Sequence, residues 1–364
     1  MRYRRWKRER PREIMKKLPF KKKSDAKRTI PSRITNETVA EHRERILAGG
    51  RRFKYPMQYA RHRLVLNAII LSVVTLVVLV ALGWYLLYQA QTTNSFMYRV
   101  TRIIPAPVAS VDGQLVRYSD YLMYYNSSAH YLQQSEQLNL SSDEGKQQVA
   151  YIKRKTLDKA IRDGYVDKVA SELGVTASDE QLKNANEEHL TTVNGKISRE
   201  TYNASTLNLL GWSPEEEQLV TKRQILKDNV AYKIDNVAKE KSEKAATLVR
   251  AKKADFSKIA KELGGEGSAK VTAGVSGLVP LTNRDGGLAT AAGALEKGEI
   301  SEVIRATTGD GYYFVKLLER NDTQLSYAYL RIPLTEFDTR LSALKKSGKV
   351  DEYINVPDVQ TQQK

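Results

Sequence analysis

Residues 64–88 form an unbroken run of 25 residues without a single charge, LVLNAIILSVVTLVVLVALGWYLLY. At about 1.5 Å of rise per residue, a helix of this length measures about 36 Å and exceeds the hydrocarbon core of a bilayer, which is about 30 Å thick. The helix of a soluble core is usually shorter and amphipathic, whereas only Asn67, Ser72 and Thr75 interrupt this apolar surface. The sequence therefore predicts one transmembrane helix.

The charge of the chain is concentrated before this run. Residues 1–63 hold 22 Lys and Arg against 6 Asp and Glu, a net charge of +16 out of +17 for the whole chain. Because basic residues flanking a span stay in the cytoplasm, we expect a cytoplasmic N-terminus and extracytoplasmic C-terminal domains at the cell membrane. A cleaved signal peptide is disfavoured, since 63 residues precede the run and the run is too long.

The basic tail has the composition of a polybasic arm, with a short helix predicted around Glu37 to Leu47. Positive charge next to an anionic leaflet favours lipid contact. Binding to the ribosome is the alternative, because dense positive charge also attracts phosphate backbones without requiring a specific nucleic-acid site. The sequence leaves both partners open.

Several kinds of chemistry are excluded by composition. The chain has no cysteine, so disulfides, thiol catalysis and cysteine-ligated metals are absent. Its four histidines, at positions 42, 62, 130 and 189, are too scattered to indicate a metal site or a catalytic triad. No phosphate-binding G-x-x-x-x-G-K-S/T motif occurs. We therefore predict no cofactor and no use of ATP.

Local signals then predict the elements that follow the span. Asp112-Gly113 favours a tight β-hairpin, and Ser119 is predicted to cap a helix that runs toward Leu138. The next helix carries a core stripe whose apolar residues recur three and four positions apart. This stripe consists of Leu157, Ile161, Tyr165, Val166, Val169, Ala170 and Leu173.

The ends of the later helices are also encoded locally. Gly174 favours a left-handed C-terminal cap, and Ser178 opens an S-x-x-Q capping box for another helix. Ser213 precedes a proline and a glutamate three positions on, which predicts a long helix from Pro214 to about Ile234.

Three segments in this order resemble the N-terminal chaperone domain of the SurA, PrsA and PpiD group of extracytoplasmic folding factors. They read PVASVDGQLVRYSDY, TLDKAIRDGYVDKVASELGVTASDEQL and LGWSPEEEQLVTKRQILKDNVAYKI within residues 106–235. The resemblance implies a mainly helical lobe that binds unfolded or nascent secreted and envelope polypeptides.

A second resemblance follows, in ADFSKIAKELGG, GLVPL and ALEKGEISEVIRATTGDGYYFVKLLER at residues 294–320. These segments are similar to the parvulin, or PpiC-type, peptidyl-prolyl isomerase domain. The resemblance implies a small antiparallel sheet flanked by helices. The residues themselves predict an alternating antiparallel strand from Tyr312 to Leu318. The predicted fold class is therefore α+β, with a transmembrane helix, a helical lobe and this sheet.

The chain departs from the parvulin pattern at its first strand, which has no counterpart after Ile234. Residues 325–332, LSYAYLRI, form a candidate strand after the last family strand. We interpret this order as a circular permutation in which the missing strand comes from the C-terminal side. An additional hairpin strand at the edge of the sheet is the alternative.

The family's histidine positions are not matched. Tyr313 and Tyr329 stand where the resemblance places histidines, Leu288 replaces a phenylalanine, and no histidine follows His189. Because tyrosine has a single hydroxyl and an ordinary pKa near 10, these residues cannot copy a two-histidine network, although they can wall a small apolar pocket. We expect weak or absent isomerase activity, an active isomerase with an atypical site being the alternative.

Client binding is the favoured function. Tyr121, Tyr124 and Tyr125 are the candidate client contacts, because rigid amphipathic rings contact many peptide sequences. The alternatives are that these rings belong to the core, and that the protein is an envelope scaffold for one folded partner.

The predicted organisation is a tail (1–63), a span (64–88), a linker (89–105), a chaperone domain (106–235), a parvulin-like domain (236–334) and a C-terminal helix and tail (335–364).

Overall fold

The computed structural model describes residues 35–54, 56–192, 195–250 and 255–358. Most of the predicted basic tail, residues 1–34, lies outside the described residues. The chain divides into two compact units, Met1–Leu79 and Val80–Lys364. It is a mixed α+β structure, which confirms the predicted fold class.

The first unit is helical. Helix α1 spans Asn36–Lys54, so the short helix predicted in the tail is confirmed and is longer than expected. Helix α2, Pro56–Trp84, begins in this unit, and its residues after Leu79 belong to the second unit together with the π-helical turn that follows, Tyr85–Gln89. Among the described residues, the stretch His62–Gln89 is the one helix long and apolar enough to cross a membrane. Its apolar side chains are exposed throughout the most hydrophobic window.

The second unit contains a helical lobe with a large hydrophobic core and a smaller cluster around Tyr125, Leu132 and Ile152. Helices α4 and α5 pack side by side, and the small hairpin β1–β2 lies against α5. The elements are α3 (Ser95–Ile103), β1 (Pro107–Val111), β2 (Gln114–Arg117), α4 (Tyr118–Gln134), α5 (Asp143–Leu173), α6 (Asp179–Leu190), β3 (Thr191–Thr192), β4 (Gly195–Lys196), α7 (Arg199–Leu210) and α8 (Pro214–Ile234).

Most of the predicted caps are confirmed. Gly174 adopts φ 62°, and the capping boxes at Ser178 and Ser213 are both complete. The exception is Ser119, because α4 already begins at Tyr118 and Ser119 is buried inside the helix. The N-cap residue is Arg117, which makes no side-chain cap, and the backbone N–H of Tyr118 donates to the carbonyl of Ala106, before β1, at 2.8 Å.

The second lobe contains an antiparallel sheet with the strand order β5-β9-β8-β7, and β6 also pairs with β9. Helices α9 and α10 pack on one face and α11 on the other. The elements are α9 (Asn236–Arg250), α10 (Phe256–Leu263), a 3₁₀ turn (Gly267–Ala269), β5 (Thr272–Val275), β6 (Val279–Pro280), α11 (Leu288–Gly293), β7 (Ile304–Arg305), β8 (Gly311–Arg320) and β9 (Gln324–Pro333).

Strands β8 and β9 are central, which excludes the edge-strand alternative for β9 and changes the expected burial pattern of β8. Strand β9 pairs with β8 on one side and with β5 on the other, so it is not an edge strand. Strand β8 was expected to alternate between buried and exposed residues, but it is buried on both faces. Tyr312 and Phe314 belong to the core under α9 and α10, whereas Tyr313 and Val315 belong to the core under α11.

The C-terminal segment returns to the first lobe. Helix α12 spans Glu336–Lys346 and β10 spans Val350–Glu352. Strand β10 pairs with β1 and completes a three-stranded sheet, order β10-β1-β2. Phe337 and Ile354 are buried in the core of the helical lobe. The helix predicted within residues 335–364 is therefore present as α12, and residues 336–356 pack on the first lobe.

Asp235 connects the two ends of the inserted sheet lobe. Its buried carboxylate accepts hydrogen bonds from the backbone N–H groups of Ala238 at 2.8 Å, Thr335 at 2.7 Å and Glu336 at 3.0 Å. One side chain thus caps both α9 and α12. The chain therefore leaves the helical lobe before residue 236 and returns to it after residue 334 at the same place, beside Asp235.

Candidate functional site

A groove with a volume of about 1210 Å³ lies where helices α6 to α9 meet strand β7. Its lining combines aromatic and aliphatic side chains with charged ones. The groove therefore has contributions from both lobes of the second unit. Its larger aromatic and aliphatic lining side chains include Tyr202, Leu210, Trp212, Val220, Ile225 and Tyr232.

One wall of the groove is organised by Glu217, which is only 4% exposed. Its Oε1 atom accepts hydrogen bonds from the hydroxyls of Tyr202 at 3.1 Å and Thr221 at 3.0 Å, and it lies 3.0 Å from Nδ1 of His189. The imidazole ring stacks on Tyr202 with ring centroids 5.4 Å apart. Three helices, α6, α7 and α8, are thereby fixed around one carboxylate.

The electrostatics of Glu217 follow from these contacts. Burial opposes ionisation of the carboxyl, but hydrogen bonds from His189 and Thr221 outweigh burial and lower the pKa of Glu217. The carboxylate is therefore charged and satisfied at neutral pH. This network holds the ring of Tyr202 in place, so it presents a preorganised aromatic surface to the groove.

Tyr232 fixes the floor of the groove to the sheet. Its hydroxyl lies 2.5 Å from the carbonyl oxygen of Gly311 and 3.1 Å from that of Ala306, at the two sides of the β7–β8 turn. Its ring makes an edge contact with Tyr312, with centroids 5.0 Å apart. Helix α8 is therefore held against the sheet lobe beside the groove, and the groove has two well-positioned walls.

Asp228 is the most perturbed carboxyl of this region. It is buried against the turn at Gly309, where φ is 66° and any side chain would collide with the carboxylate. Burial raises the pKa of Asp228 to about 6, although hydrogen bonds from Gln224 at 2.9 and 3.1 Å favour the charged form. The lobes therefore meet at a carboxyl that takes up a proton in mildly acidic conditions.

We expect Asp228→Asn to stabilise residues 84–364 at pH 7, by an amount on the order of 1–3 kcal/mol. The folded pKa of Asp228 lies above the ordinary value of 3.8. The protonated carboxyl therefore makes its full contribution to the stability of the parent protein below about pH 4, and this contribution is lost as the pH rises toward 6. The asparagine oxygen still accepts from Gln224. Urea unfolding at pH 4.5, 6 and 8 measures the effect.

The control for this prediction is Asp322→Asn, an exposed carboxylate in the β8–β9 turn. It should leave the pH dependence of unfolding unchanged. A slope between pH 4 and 6 that is the same in Asp228→Asn as in the parent protein would contradict the assignment of this titration to Asp228.

The structure brings together the three residues that the resemblance to parvulins predicts as pocket positions. Tyr313, Tyr329 and Leu288 belong to one hydrophobic cluster, and the two tyrosine rings lie 6.3 Å apart at an interplanar angle of 55°. Val315 is the cross-strand partner of Tyr329, so the rings pack diagonally on one face of the sheet. None of the three residues lines the groove.

The hydroxyl of Tyr313 does not point to Tyr329. It donates to Oδ2 of Asp310 at 2.6 Å, and the same oxygen accepts from Nε of Arg331 at 3.0 Å. Burial and this hydrogen bond raise the pKa of Tyr313 well above its ordinary value. Burial opposes ionisation of Asp310, but its hydrogen bonds from Thr308 and Tyr313 lower its pKa. Tyr313 is thus a neutral hydroxyl engaged in a structural network.

The predicted client contacts are buried. Tyr121, Tyr124 and Tyr125 all lie between α4 and its neighbours, and the hydroxyl of Tyr124 donates to Oδ2 of Asp163 at 2.5 Å. Because α4 is covered by α5 and α7, rings three and four positions apart on it face the core. The three tyrosines are therefore core residues. Tyr125 also borders a second cavity of about 640 Å³ beside α3.

Within the described residues, no group of His, Asp or Glu side chains is arranged to hold a metal ion. The groove residues Glu217 and Asp228 were not singled out from the sequence. The only available signal was their position in the long helix predicted from Pro214 to Ile234, where a carboxyl on the buried face requires partners.

Comparison with known proteins identifies one part of the chain. Residues 57–231 match the SurA-like N-terminal domain. The match begins in α2 and ends in α8, so it includes most of the groove residues and excludes the sheet lobe. It supports a protein of the SurA/PrsA/PpiD type and suggests an extracytoplasmic chaperone family. No curated protein matches the chain.

Proposed function

We propose that the protein is a membrane-anchored extracytoplasmic chaperone that binds unfolded secreted or envelope polypeptides in the groove. The observation that carries this proposal is the groove itself, which lies largely within a SurA-like domain and presents preorganised aromatic rings beside charged groups. Binding requires no ATP, because capture depends on burial of client side chains against the rings of Tyr202 and Trp212.

The size and lining of the groove suit a polypeptide segment. Its volume of about 1210 Å³ exceeds the range of about 300–1,000 Å³ that is typical of small-molecule pockets. Aromatic rings provide large contact area at low entropic cost and accept many side chains. Lys233 and Arg305 give the lining positive charge and the exposed carboxylate of Glu188 gives it negative charge, so clients of either charge find partners.

The anchor in this proposal is helix α2. The stretch His62–Gln89 is long enough to cross a bilayer and its apolar surface is exposed up to Tyr85, and the basic residues before it favour a cytoplasmic N-terminus. The second unit would then work outside the cytoplasm, next to chains emerging at the membrane. The tail would contact anionic lipid or the ribosome.

The sheet lobe is proposed to be a circularly permuted, degenerate parvulin domain. The interior position of β9, between β8 and β5, supports a strand supplied from the C-terminal side. The burial of Tyr313 and its hydrogen bond to Asp310 favour a structural role over prolyl isomerisation. An active isomerase is therefore the second candidate, and a scaffold for one folded partner is the third.

We expect the full chain in lipid nanodiscs to suppress aggregation of several unrelated polypeptides diluted from denaturant, while accelerating prolyl isomerisation of a short peptide less than about tenfold. A tenfold acceleration would require about 1.4 kcal/mol of preferential transition-state stabilisation, which a closed aromatic cluster does not supply. Light scattering measures the first activity and an NMR exchange assay the second.

The matched variants are Tyr313→Phe and Tyr329→Phe, each of which removes one hydroxyl and retains the ring. Both should leave aggregation suppression unchanged. Robust isomerisation that both substitutions abolish would favour the isomerase, and the absence of any aggregation suppression by the full chain would contradict the chaperone.

A further inference from the structure

Helix α3, Ser95–Ile103, has one buried face and one exposed apolar face. Met97 and Thr101 are buried against the lobe. On the opposite face, Phe96 is 67% exposed and Ile103 is 82% exposed. Positions 96 and 103 are seven residues apart and lie on the same side of the helix. Two large apolar side chains of a short helix are thus directed away from the core.

The exposed face also carries positive charge. Arg99 lies three residues after Phe96 on this side of the helix, and Arg102 follows one turn later. The guanidinium of Arg102 stacks over the ring of Tyr98, with its central carbon 5.7 Å from the ring centroid. An apolar stripe bordered by arginines is typical of helices that lie in the interface of an anionic bilayer.

The chain places this helix close to a membrane. The apolar stretch ends at Gln89, and only residues 90–94 precede α3. The six steps from Gln89 to Ser95 span at most about 22 Å when fully extended, so the start of α3 cannot lie far from the end of the membrane helix. Ile104, directly after α3, is a third exposed apolar residue, 63% exposed.

We propose that α3 lies in the outer interface of the membrane, with Phe96, Ile103 and Ile104 inserted among lipid chains. Arg99 and Arg102 contact the lipid phosphates. This inference rests on the proposed membrane anchor. It gives the second unit a second attachment beside the span, which restricts its rotation relative to the bilayer.

The test uses single cysteines in the full chain, which has none of its own. Phe96→Cys and Ile103→Cys are labelled with an environment-sensitive fluorophore and reconstituted in nanodiscs that contain anionic lipid. Quenching by nitroxide-labelled lipid is compared with quenching by aqueous iodide. Leu207→Cys, on α7, is the matched control because Leu207 is also an exposed apolar residue on a short helix. Val77→Cys reports on the span.

We expect the labels at positions 96 and 103 to show blue-shifted emission and to be quenched mainly by nitroxide-labelled lipid. The label at position 207 should be quenched mainly by iodide. Arg99→Gln should weaken lipid quenching at 103 in anionic nanodiscs. If the labels at positions 96 and 103 are quenched like the label at 207, while the label at 77 is quenched by lipid, the proposed interfacial location of α3 is overturned and the proposed membrane anchor is retained. Protection of 96 and 103 from both quenchers would show a protein partner on this face and also overturn the proposal. Absence of lipid quenching at 77 would overturn the anchor and the inference together.

Discussion

Phe337→Ala is expected to lower the free energy of unfolding of residues 84–364 by about 3–5 kcal/mol, as is usual when a buried phenylalanine is truncated. Phe337 is buried in the core of the helical lobe, and its ring centroid lies 5.1 Å from that of Tyr165 on α5. The fragment should begin no later than residue 84, because Leu87 is part of the same core. Urea unfolding gives the free energy.

The matched control is Ser342→Ala, an exposed position on the same helix, which should change stability by less than about 0.5 kcal/mol. Similar effects of the two substitutions would contradict the docking of α12 on the first lobe. Retention of full stability after deletion of residues 335–364 would contradict it too, because β10 and α12 would then be dispensable.

Leu157→Ala should destabilise the same fragment by about 2–5 kcal/mol. Leu157 is completely buried at the centre of the helical lobe. Ser171→Ala on the same helix α5 is exposed and should stay within about 0.5 kcal/mol. Lys159 is unsuitable as a control, because its ammonium group lies 4.4 Å from the ring centroid of Tyr124 and 3.7 Å from a carboxylate oxygen of Asp163.

If Leu157→Ala and Ser171→Ala destabilised the fragment equally, the core stripe on α5 would be misassigned. Circular dichroism before unfolding shows whether each variant is folded at the start. A variant of Leu157 that fails to fold at all agrees with the prediction, provided that the Ser171 variant folds.

These two predictions differ in how much of them the sequence reveals. The stripe that contains Leu157 is visible because helical spacing is local. The caps at Gly174, Ser178 and Ser213 are equally local, and the structure confirms them. The contact of Phe337 with Tyr165 joins residues far apart in the chain. Nothing in the neighbourhood of either residue indicates the other.

The same reasoning explains which parts of the site were missed. Asp235 and Glu217 draw their partners from separate helices, so their roles depend on tertiary packing. The proximity of Tyr313 to Tyr329 was implied by the parvulin resemblance, which places both at histidine positions, but the bond from Tyr313 to Asp310 depends on the shape of a turn. The burial of tyrosines on α4 depends on which helices cover it.

The central claim, that unfolded clients bind in the groove, is tested most directly by site-specific photocross-linking. A photoactivatable label is attached to Asn184→Cys on α6 and Lys233→Cys on α8, both of which line the groove and are exposed. The controls are Lys183→Cys and Lys222→Cys, which lie on the same two helices and are exposed but do not line the groove.

The full chain in nanodiscs is irradiated with several unrelated proteins, each in unfolded and folded form. We predict cross-links from positions 184 and 233 to the unfolded forms and few from 183 and 222. Equal cross-linking from all four positions, or cross-linking to one folded protein alone, would contradict client binding in the groove.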